Sequence, residues 1–364
     1  MLAARRGNTA IVLVDGTVLV TGSNWENPEP GWGGTTLAVL VRMRDDGGAM
    51  PLSDLRPTDP KGVTAFLRER FGAGVNDVLA LAGGEWSRAF AFGEGGRDWV
   101  IRIADFDLAF RKDELATRWS SDALPIPRVL EVGSVGDGFF AISERMTGAM
   151  LETIDEPQLR AVLPSLLGTL DALRLADVSA FSGYGGWDAS GNGWYPSWQA
   201  MLLDVATDDP ARPNHGWRDR LAHSEVGDRP FAEAYDVLTS LVEKVHEERH
   251  LIHADFMNRN VMVSENKISG VFDWGCGMYG DFLMDLAWID FWAPWSPGWD
   301  AVDIIAAARD HFRAIGLNVP NVSERIRACQ IYVGLDGMAF QAHIGRWADL
   351  ARTAARTLEV AGRP

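Results

Sequence analysis

Two short stretches decide the fold of this chain: HADFMNRN at positions 253–260 and VFDW at positions 271–274. Asp255 and Asn260 are five positions apart, so they cannot share a helix face, but they can face each other across a tight loop. Asp273 ends an apolar run, which predicts that it lies at the mouth of a hairpin beside that loop. Carboxylate and amide groups arranged in this way are suited to hold a metal-bound phosphate. The pattern therefore indicates a functional site.

The bulk composition limits the classes of protein to consider. A chain of 364 residues is long enough for two domains or one large bilobal unit. Its 34 basic and 50 acidic residues give a net charge of −16, which disfavours nucleic-acid phosphates and favours a cationic partner. No apolar run approaches the roughly 20 residues that a membrane-spanning helix needs. We therefore expect a monomer that binds a small cationic molecule, and neither a nucleic acid nor a membrane.

The cysteines and the N-terminal segment bear on the cellular compartment. Cys276 and Cys329 form neither a disulfide framework nor a zinc pattern, so a reducing compartment is expected. The apolar run over residues 10–14 loosely resembles part of a signal peptide. Asp15-Gly16 interrupts it before the run resumes, which fits a hairpin turn better. The sequence thus favours the cytoplasm.

Residues 1–49 differ in texture from the rest of the chain. They contain two short β-like runs, a patch rich in Gly, Trp and Pro over residues 24–34, and a third apolar run over residues 37–41. One interpretation is a small β appendage. The other is an overlong start, with Met50 as the natural first residue, and we favour this second interpretation.

A small α+β lobe is predicted over residues 50–142. Asp59 as N-cap, Pro60 at the first helical position and Gly72 as the stop predict a helix. Strands are expected over residues 79–81, 89–92, 99–103, 129–132 and 138–143, with a polar helix over residues 111–119. Such an antiparallel set with few helices is typical of an α+β lobe.

A larger, mainly helical lobe is predicted over residues 143–364. Apolar residues recur at helical spacing over residues 159–170 and 235–245, and the chain from residue 285 onward is also mostly helical in pattern. The Gly- and Trp-rich stretch over residues 181–198 is predicted to be too irregular for a core element. The fold class is therefore α+β, with a small antiparallel β-rich lobe and a larger helical lobe.

The sequence offers a candidate for each task of phosphoryl transfer, which requires neutralised phosphates, a fixed metal and an oriented acceptor hydroxyl. Asp255 can accept the hydroxyl proton, and Asn260 with Asp273 present the hard oxygen ligands that magnesium prefers. Arg102, at the end of an apolar strand, is predicted to point inward and to need an anionic partner such as a phosphate. The alternatives are that a lone Asp is a turn residue and that Arg102 forms a structural ion pair with Glu114.

Several of these motifs are shared with a known family. The motifs are Gly84-Glu85-Trp86-Ser87-Arg88-Ala89-Phe90, Leu124-Pro125-Ile126-Pro127, His253-Ala254-Asp255 with Asn260, Asp273-Trp274 and Gly280-Asp281. On these residues the chain, from about Leu55 onward, resembles the aminoglycoside phosphotransferase family, which has a bilobal protein-kinase-like fold. Within that family it is most similar to the hygromycin B phosphotransferases. The catalytic and metal motifs are specific together, whereas the glycine turn alone also fits an ordinary hairpin.

The resemblance implies an activity and a set of site residues. It implies transfer of the γ-phosphate of ATP, with Mg²⁺, to a hydroxyl of an aminoglycoside such as hygromycin B, which confers antibiotic resistance. Asp255 corresponds to the catalytic aspartate, and Asn260 and Asp273 correspond to the metal ligands. Arg102 stands where kinases usually have a lysine, a difference that the hygromycin branch also has. The nucleotide-binding residues implied in this way are Gly84, Ser87, Arg102, Glu114 (with Asp113 as its competitor), Glu144 and Arg145.

Acidic and aromatic residues near positions 285–300 are candidates for the acceptor site. Carboxylates and aromatic faces suit a polycationic amino sugar through charge-assisted hydrogen bonds and cation–π contacts. Asp285, Asp290 and Trp292 are the residues predicted for this role, although their spacing also fits a helical core. His253 is expected to hydrogen-bond the loop backbone. Asp281 is expected either to brace the metal loop or to cap a helix.

Two other functions fit the same residues. One is a kinase of the same fold that acts on another hydroxylated amine or on a macrolide. The other is a nucleotide-binding module without turnover.

Overall fold

The structure is a computed structural model that describes residues 59–81, 87–212, 214–245, 247–257 and 259–363, together with three upstream strands. Contacts within the chain divide it into two units. The smaller unit consists of the described residues up to Asp107, Gly133–Ala141 and those of Asp209–His215. The larger unit consists of the described residues of Leu108–Val132, Ile142–Asp208 and Gly216–Pro364. Residues 108–132, which the sequence assigns to the small lobe, are thus grouped with the larger unit.

The three upstream strands form one antiparallel sheet. They are β1 (Asn8–Val12), β2 (Val18–Gly22) and β3 (Leu37–Val41), in that order. β2 lies between its neighbours. The two β-like runs are therefore strands, the third apolar run is also a strand, and the predicted Asp15-Gly16 turn lies outside the described residues.

Helix α1 (Pro60–Phe71) begins and ends where the sequence predicts. The side chain of Asp59 accepts a hydrogen bond of 2.8 Å from the backbone N–H of Gly62, which is the expected N-cap interaction. Gly72 has φ of +83° and donates its N–H to the carbonyl of Arg68, so this glycine ends the helix. Local capping chemistry is sufficient to define this element.

A five-stranded sheet has the strand order β4-β5-β6-β8-β7. The strands are β4 (Asn76–Ala80), β5 (Ser87–Glu94), β6 (Arg97–Ala104), β7 (Val129–Val135) and β8 (Gly138–Glu144). Trp99, Ile101 and Ile103 alternate along β6 and are buried. Helix α1 covers the sheet, with Phe66 packed edge-on against Phe140 at 5.1 Å between ring centroids.

Helices dominate the larger unit. They are α2 (Leu108–Ala116), α3 (Glu156–Leu175), α4 (Trp198–Leu203), α5 (Trp217–Ala222), α6 (Arg229–Val242), α7 (Leu283–Trp292), α8 (Ile304–Ala314), α9 (Val322–Ile344) and α10 (Trp347–Ala361). Helix α9 lies at the centre of the core, where α5, α6, α7 and α10 pack around it. In the part of the chain that the structure describes, no helix is long and apolar enough to span a membrane.

Two small sheets in the larger unit flank the 253–260 stretch. One has the order β14-β13-β9 and the other β11-β10-β15-β12. Their strands are β9 (Ala149–Met150), β10 (Tyr184–Trp187), β11 (Gly193–Tyr195), β12 (His250–Ile252), β13 (Val261–Ser264), β14 (Lys267–Val271) and β15 (Met278–Gly280). Because β12 precedes the stretch and β13 follows it, both ends of this loop are fixed by strand pairing.

The stretch over residues 181–198 is where the prediction from the sequence is wrong. It contains β10 and β11, and the side chains of Trp187 and Trp198 are fully buried. Trp187 stacks on Tyr279 with ring centroids 4.8 Å apart, and an added Cβ at Gly280 would collide with the Trp198 ring. Strands of three or four residues are too short to show the alternation of apolar and polar residues by which a strand is recognised in a sequence. Stacking between aromatic rings that are distant in sequence defines this part of the core.

Candidate active site

The loop between β12 and β13 brings Asp255 and Asn260 into direct contact. Ala254 and Arg259 have φ of +60° and +62°, so two left-handed residues turn the chain on either side of the loop apex. The side-chain amide nitrogen of Asn260 donates to both the backbone carbonyl and Oδ2 of Asp255, at 2.9 Å each. The prediction that these two side chains face each other across a tight loop is confirmed. Asp255 is half-buried, and Asn260 is buried.

The β13–β14 hairpin places Asp273 next to this loop. Glu265 and Asn266 form its two-residue turn, with φ of +51° and +59°. Beyond the last strand pair, the backbone N–H of Phe272 donates to the carbonyl of Asn260 at 3.0 Å. Asp273 is the next residue and adopts a left-handed conformation with φ 64° and ψ 67°. It therefore lies at the mouth of the hairpin, as predicted.

His253 connects the buried side of the loop to the backbone of Phe272. Its side chain is fully buried, and Nε2 donates to the carbonyl of Phe272 at 3.0 Å. Burial lowers the pKa of His253 to about 4, so the ring is neutral near pH 7. A neutral imidazole that donates to a backbone carbonyl has a structural role, which confirms the prediction for this residue.

Asp285 on α7 also holds the loop, and its prediction as a substrate residue is wrong. Its side chain is buried, Oδ2 accepts the N–H of His253 at 2.9 Å, and Oδ1 accepts the N–H of Ala254 at 2.7 Å. Burial raises the pKa of Asp285 to about 6. Because both oxygens are used inside the protein, this carboxylate holds the backbone of the 253–260 loop. A signal was present in the sequence, since an Asp inside the apolar run LMDLA is a candidate for a buried hydrogen-bonding role.

Asp290 and Trp292 lie in the packing between α7, α9 and α10. The carboxylate of Asp290 accepts hydrogen bonds from Gln330 and Arg356. The Trp292 ring packs edge-on against Trp295, with centroids 5.1 Å apart. These contacts account for both residues through helix packing, and their role toward a substrate stays a prediction.

Asp281 links α7 to α9. It accepts hydrogen bonds of 2.8 Å from both Nε and Nη2 of Arg325, and both side chains are fully buried. Its Oδ1 also accepts the N–H of Leu283, the first residue of α7. The N-cap residue of α7 is Phe282, which makes no side-chain cap bond, so Asp281 is not the N-cap, and Asp285 is the residue that binds the backbone of the 253–260 loop. Arg325, which also pairs with Glu248 at 2.8 Å, was not predicted from the sequence.

The nucleotide-binding residues predicted in the larger unit have different environments. Glu114 is exposed and pairs with Arg111 at 3.3 Å. Its neighbour Asp113 is buried, and its Oδ1 accepts the backbone N–H of Trp274 at 2.8 Å. Glu144 ends β8, where its carboxylate and its N–H both bond the backbone of Arg128. The next residue, Arg145, is exposed.

In the smaller unit, Ser87 and Arg102 share one face of the sheet. Ser87 pairs with Ala104, and Ala89 pairs with Arg102, so these side chains project to the same side. Arg102 is half-buried, on the face opposite to Trp99, Ile101 and Ile103. It therefore points away from that apolar layer, and its role toward an anionic partner such as a phosphate stays a prediction. Gly84 lies outside the described residues.

The oxygen atoms at the loop and hairpin fit a hard divalent cation. The amide nitrogen of Asn260 is turned toward Asp255, which leaves the amide oxygen on the other side, and Asp273 contributes a carboxylate. Within the described ranges, no group of three His, Cys, Asp or Glu side chains is arranged to hold a metal. A pair of protein oxygens is typical of Mg²⁺ sites that are completed by water and phosphate.

Comparison with known proteins identifies the family. Residues 77–317 match the phosphotransferase enzyme family. The chain belongs to this family. It is 35% identical over 278 residues to the hygromycin-B 4-O-kinase of Escherichia coli. The aligned region covers 75% of this chain and 77% of that protein.

Solved structures of the family have the same fold. The crystal structure of aminoglycoside phosphotransferase APH(4)-Ia is 33% identical, with a TM-score of 0.72, and covers 83% of this chain and 99% of that chain. A thermostable mutant of the same protein was solved as a ternary complex with AMP-PNP and hygromycin B; it is 34% identical, with a TM-score of 0.71, and covers 82% of this chain and 97% of that chain. The predicted fold class, α+β with a small antiparallel lobe and a larger helical lobe of the protein-kinase-like type, is confirmed. The chain is a phosphotransferase.

Proposed function

We propose that this chain transfers the γ-phosphate of ATP to a hydroxyl of an aminoglycoside of the hygromycin B class, and thereby confers resistance. The observation that carries the proposal is the hydrogen bond from Asn260 to Oδ2 of Asp255, with Asp273 at the mouth of the adjacent hairpin. The 35% identity to the Escherichia coli hygromycin-B 4-O-kinase supports the acceptor class.

Asp255 is the proposed catalytic residue. Its carboxylate would orient the acceptor hydroxyl and accept its proton while the acceptor oxygen bonds to the γ-phosphorus and the bond to the β-phosphate oxygen breaks. The amide of Asn260 fixes Oδ2 and the backbone of Asp255 at once, so the carboxylate has one orientation. The bonds from His253 and Ala254 to Asp285 keep the loop backbone in place. The loop is thus prearranged for the acceptor.

Mg²⁺ and the nucleotide are the proposed cofactors. Asn260, through its amide oxygen, and Asp273, through its carboxylate, would hold Mg²⁺, which neutralises charge on the phosphates when bound. In the smaller unit, Ser87 and Arg102 share a sheet face, and a guanidinium can grip two phosphate oxygens. The full set proposed to bind the nucleotide is Gly84, Ser87, Arg102, Glu114, Glu144 and Arg145.

The acceptor site is proposed on the side of the larger unit. A net charge of −16 favours attraction of a cationic amino sugar. Of the residues first considered, Asp290 and Trp292 remain proposed substrate residues. We further propose that residues 50–142 bind the nucleotide and that residues 143–364 carry catalysis and the acceptor. The protein is proposed to be a cytoplasmic monomer.

The proposal is tested by transfer of labelled phosphate from ATP across a panel of aminoglycosides, with the product mapped by NMR. We expect hygromycin B to be labelled at the 4-hydroxyl, the position named for the Escherichia coli relative. Labelling of a macrolide or another hydroxylated amine in its place would favour the second kinase function. Nucleotide binding without transfer to any acceptor would favour a module without turnover.

A further inference from the structure

Lys112 on α2 is a buried lysine that none of the proposed roles uses. Its Nζ donates to the backbone carbonyl of Gly275 at 3.0 Å, across 163 positions of sequence. The same ammonium lies over the rings of Trp194 and Trp187, at 4.7 and 5.5 Å from their centroids. Two indole faces and one carbonyl are among the partners that allow an ammonium group to be buried at this position.

The neighbouring residue binds the same turn. Oδ1 of Asp113 accepts the N–H of Trp274 at 2.8 Å, so consecutive residues of α2 contact consecutive residues of the Trp274–Cys276 turn. One contact is made to an N–H and the other to a carbonyl. The turn is therefore held at two points of its backbone, and a shift of α2 would shift both.

This turn begins directly after Asp273. A non-glycine residue in the left-handed region is strained and keeps that conformation only when its surroundings fix it. On one side, Phe272 is fixed by its N–H bond to the carbonyl of Asn260. On the other side, the two bonds from α2 fix the residues that follow. Together they fix the backbone on both sides of Asp273.

We propose that Lys112, together with Asp113, is a positioning residue that aims the Asp273 carboxylate at the metal. This inference rests on the proposed function, in which Asp273 holds Mg²⁺. Packing alone does not require a lysine, since a methionine of similar length would fill the space between the two indoles without a buried charge. What a methionine lacks is the donor to the Gly275 carbonyl.

The test compares Lys112→Met with Lys112→Arg, which keeps a charged donor, and with Lys267→Met, the same substitution at an exposed lysine on β14. Two quantities are measured: the rise in melting temperature that ADP causes with and without Mg²⁺, and the Mg²⁺ dependence of kcat. For Lys112→Met we expect the ADP effect to remain, its Mg²⁺-dependent part to be lost, and the Mg²⁺ concentration for half-maximal kcat to rise about 10-fold or more. The KM for the aminoglycoside should stay within about 3-fold, because the acceptor is bound elsewhere. Lys112→Arg should recover most of the Mg²⁺ dependence, and Lys267→Met should match the wild type.

A Lys112→Met variant with the Mg²⁺ dependence of the wild type would overturn the inference. So would a variant that does not fold, if Lys112→Gln also does not fold, because Lys112 would then serve stability. If the wild type transfers no phosphate, the proposed function fails. The Mg²⁺-dependent part of the ADP effect would still decide the role of Lys112 independently.

Discussion

The loop over residues 253–260 and helix α7 each carry a carboxylate, Asp255 and Asp285, and the two carboxylates have opposite environments. Asp255 is half-buried, and one of its oxygens is fixed by Asn260. Asp285 is buried, and both of its oxygens accept backbone N–H groups of the loop. The two carboxylates are linked through the loop backbone, because Asp285 binds the N–H groups of the two residues that precede Asp255. Asp285 lies on the buried side of the loop and Asp255 on its more accessible side.

The difference in burial and hydrogen bonding between Asp255 and Asp285 indicates which of the two carboxylates can act on a ligand. A buried carboxylate whose oxygens are both engaged stabilises the chain, and it would lose those bonds if it turned toward a substrate. A half-buried carboxylate held on one side keeps a defined direction and still faces solvent. Variants of the two residues should therefore affect different quantities.

The largest effect is expected for Asp255→Ala. Loss of the proposed base should lower kcat on the order of 10⁴-fold, or about 5 kcal/mol of transition-state stabilisation. The ADP-induced rise in melting temperature should remain, because Asp255 is proposed to act on the acceptor. Single-turnover transfer from labelled ATP measures the first quantity. Turnover within 10-fold of the wild type would remove Asp255 from the mechanism. Asp228→Ala, the same substitution at an exposed aspartate before α6, serves as the matched control with little loss of kcat.

Asp285→Ala should act on stability. It leaves two buried N–H groups without acceptors, which costs about 4 kcal/mol at roughly 2 kcal/mol per group. Urea unfolding at neutral pH measures the loss. The outcome that would contradict this role is a raised KM for the aminoglycoside with an unchanged free energy of unfolding. That result would return Asp285 to the substrate site.

The same contrast explains what the sequence could predict. Helix α1 was predictable because its caps, Asp59 and Gly72, act on residues three or four positions away. The pairing of Asp255 with Asn260 was predictable for the same reason, since one short loop determines it. Helix α7 is apolar on nearly all sides, so its sequence pattern does not indicate which way Asp285 points.

Interactions between residues that are far apart in the chain could not be predicted from the sequence. The Lys112–Gly275 bond joins residues 163 positions apart, and the burial of Trp187 depends on its stacking on Tyr279. In both cases the residue type allows several roles, and only the tertiary packing selects one. The sequence therefore predicted the fold class and the pairing of Asp255 with Asn260. It did not predict the buried contacts of Lys112, Asp113 and Asp285 that hold the backbone of the site.

The smallest of the three effects is expected in the pH dependence of the free energy of unfolding, to which the buried residues His253 and Asp285 contribute. Burial lowers the pKa of His253 from 6.5 to about 4, so below pH 6.5 the unfolded chain takes up a proton that the folded chain does not. The free energy of unfolding therefore falls as the pH falls from 6.5 to 4, by about 3 kcal/mol. Burial raises the pKa of Asp285 from 3.8 to about 6, so here the folded chain takes up the proton first. This second contribution raises the free energy of unfolding over nearly the same interval, by about 3 kcal/mol.

The two contributions oppose each other in the wild type, and single variants separate them. His253→Gln keeps a donor for the Phe272 carbonyl but does not titrate, so its free energy of unfolding should gain about 3 kcal/mol relative to the wild type between pH 6.5 and 4. Asp285→Asn should lose a similar amount relative to the wild type over the same range. Urea unfolding at several pH values measures both. Parallel pH profiles for all three proteins would mean that both groups have the same pKa in the folded chain as in the unfolded chain, and burial would then not distinguish His253 and Asp285 from the half-buried Asp255.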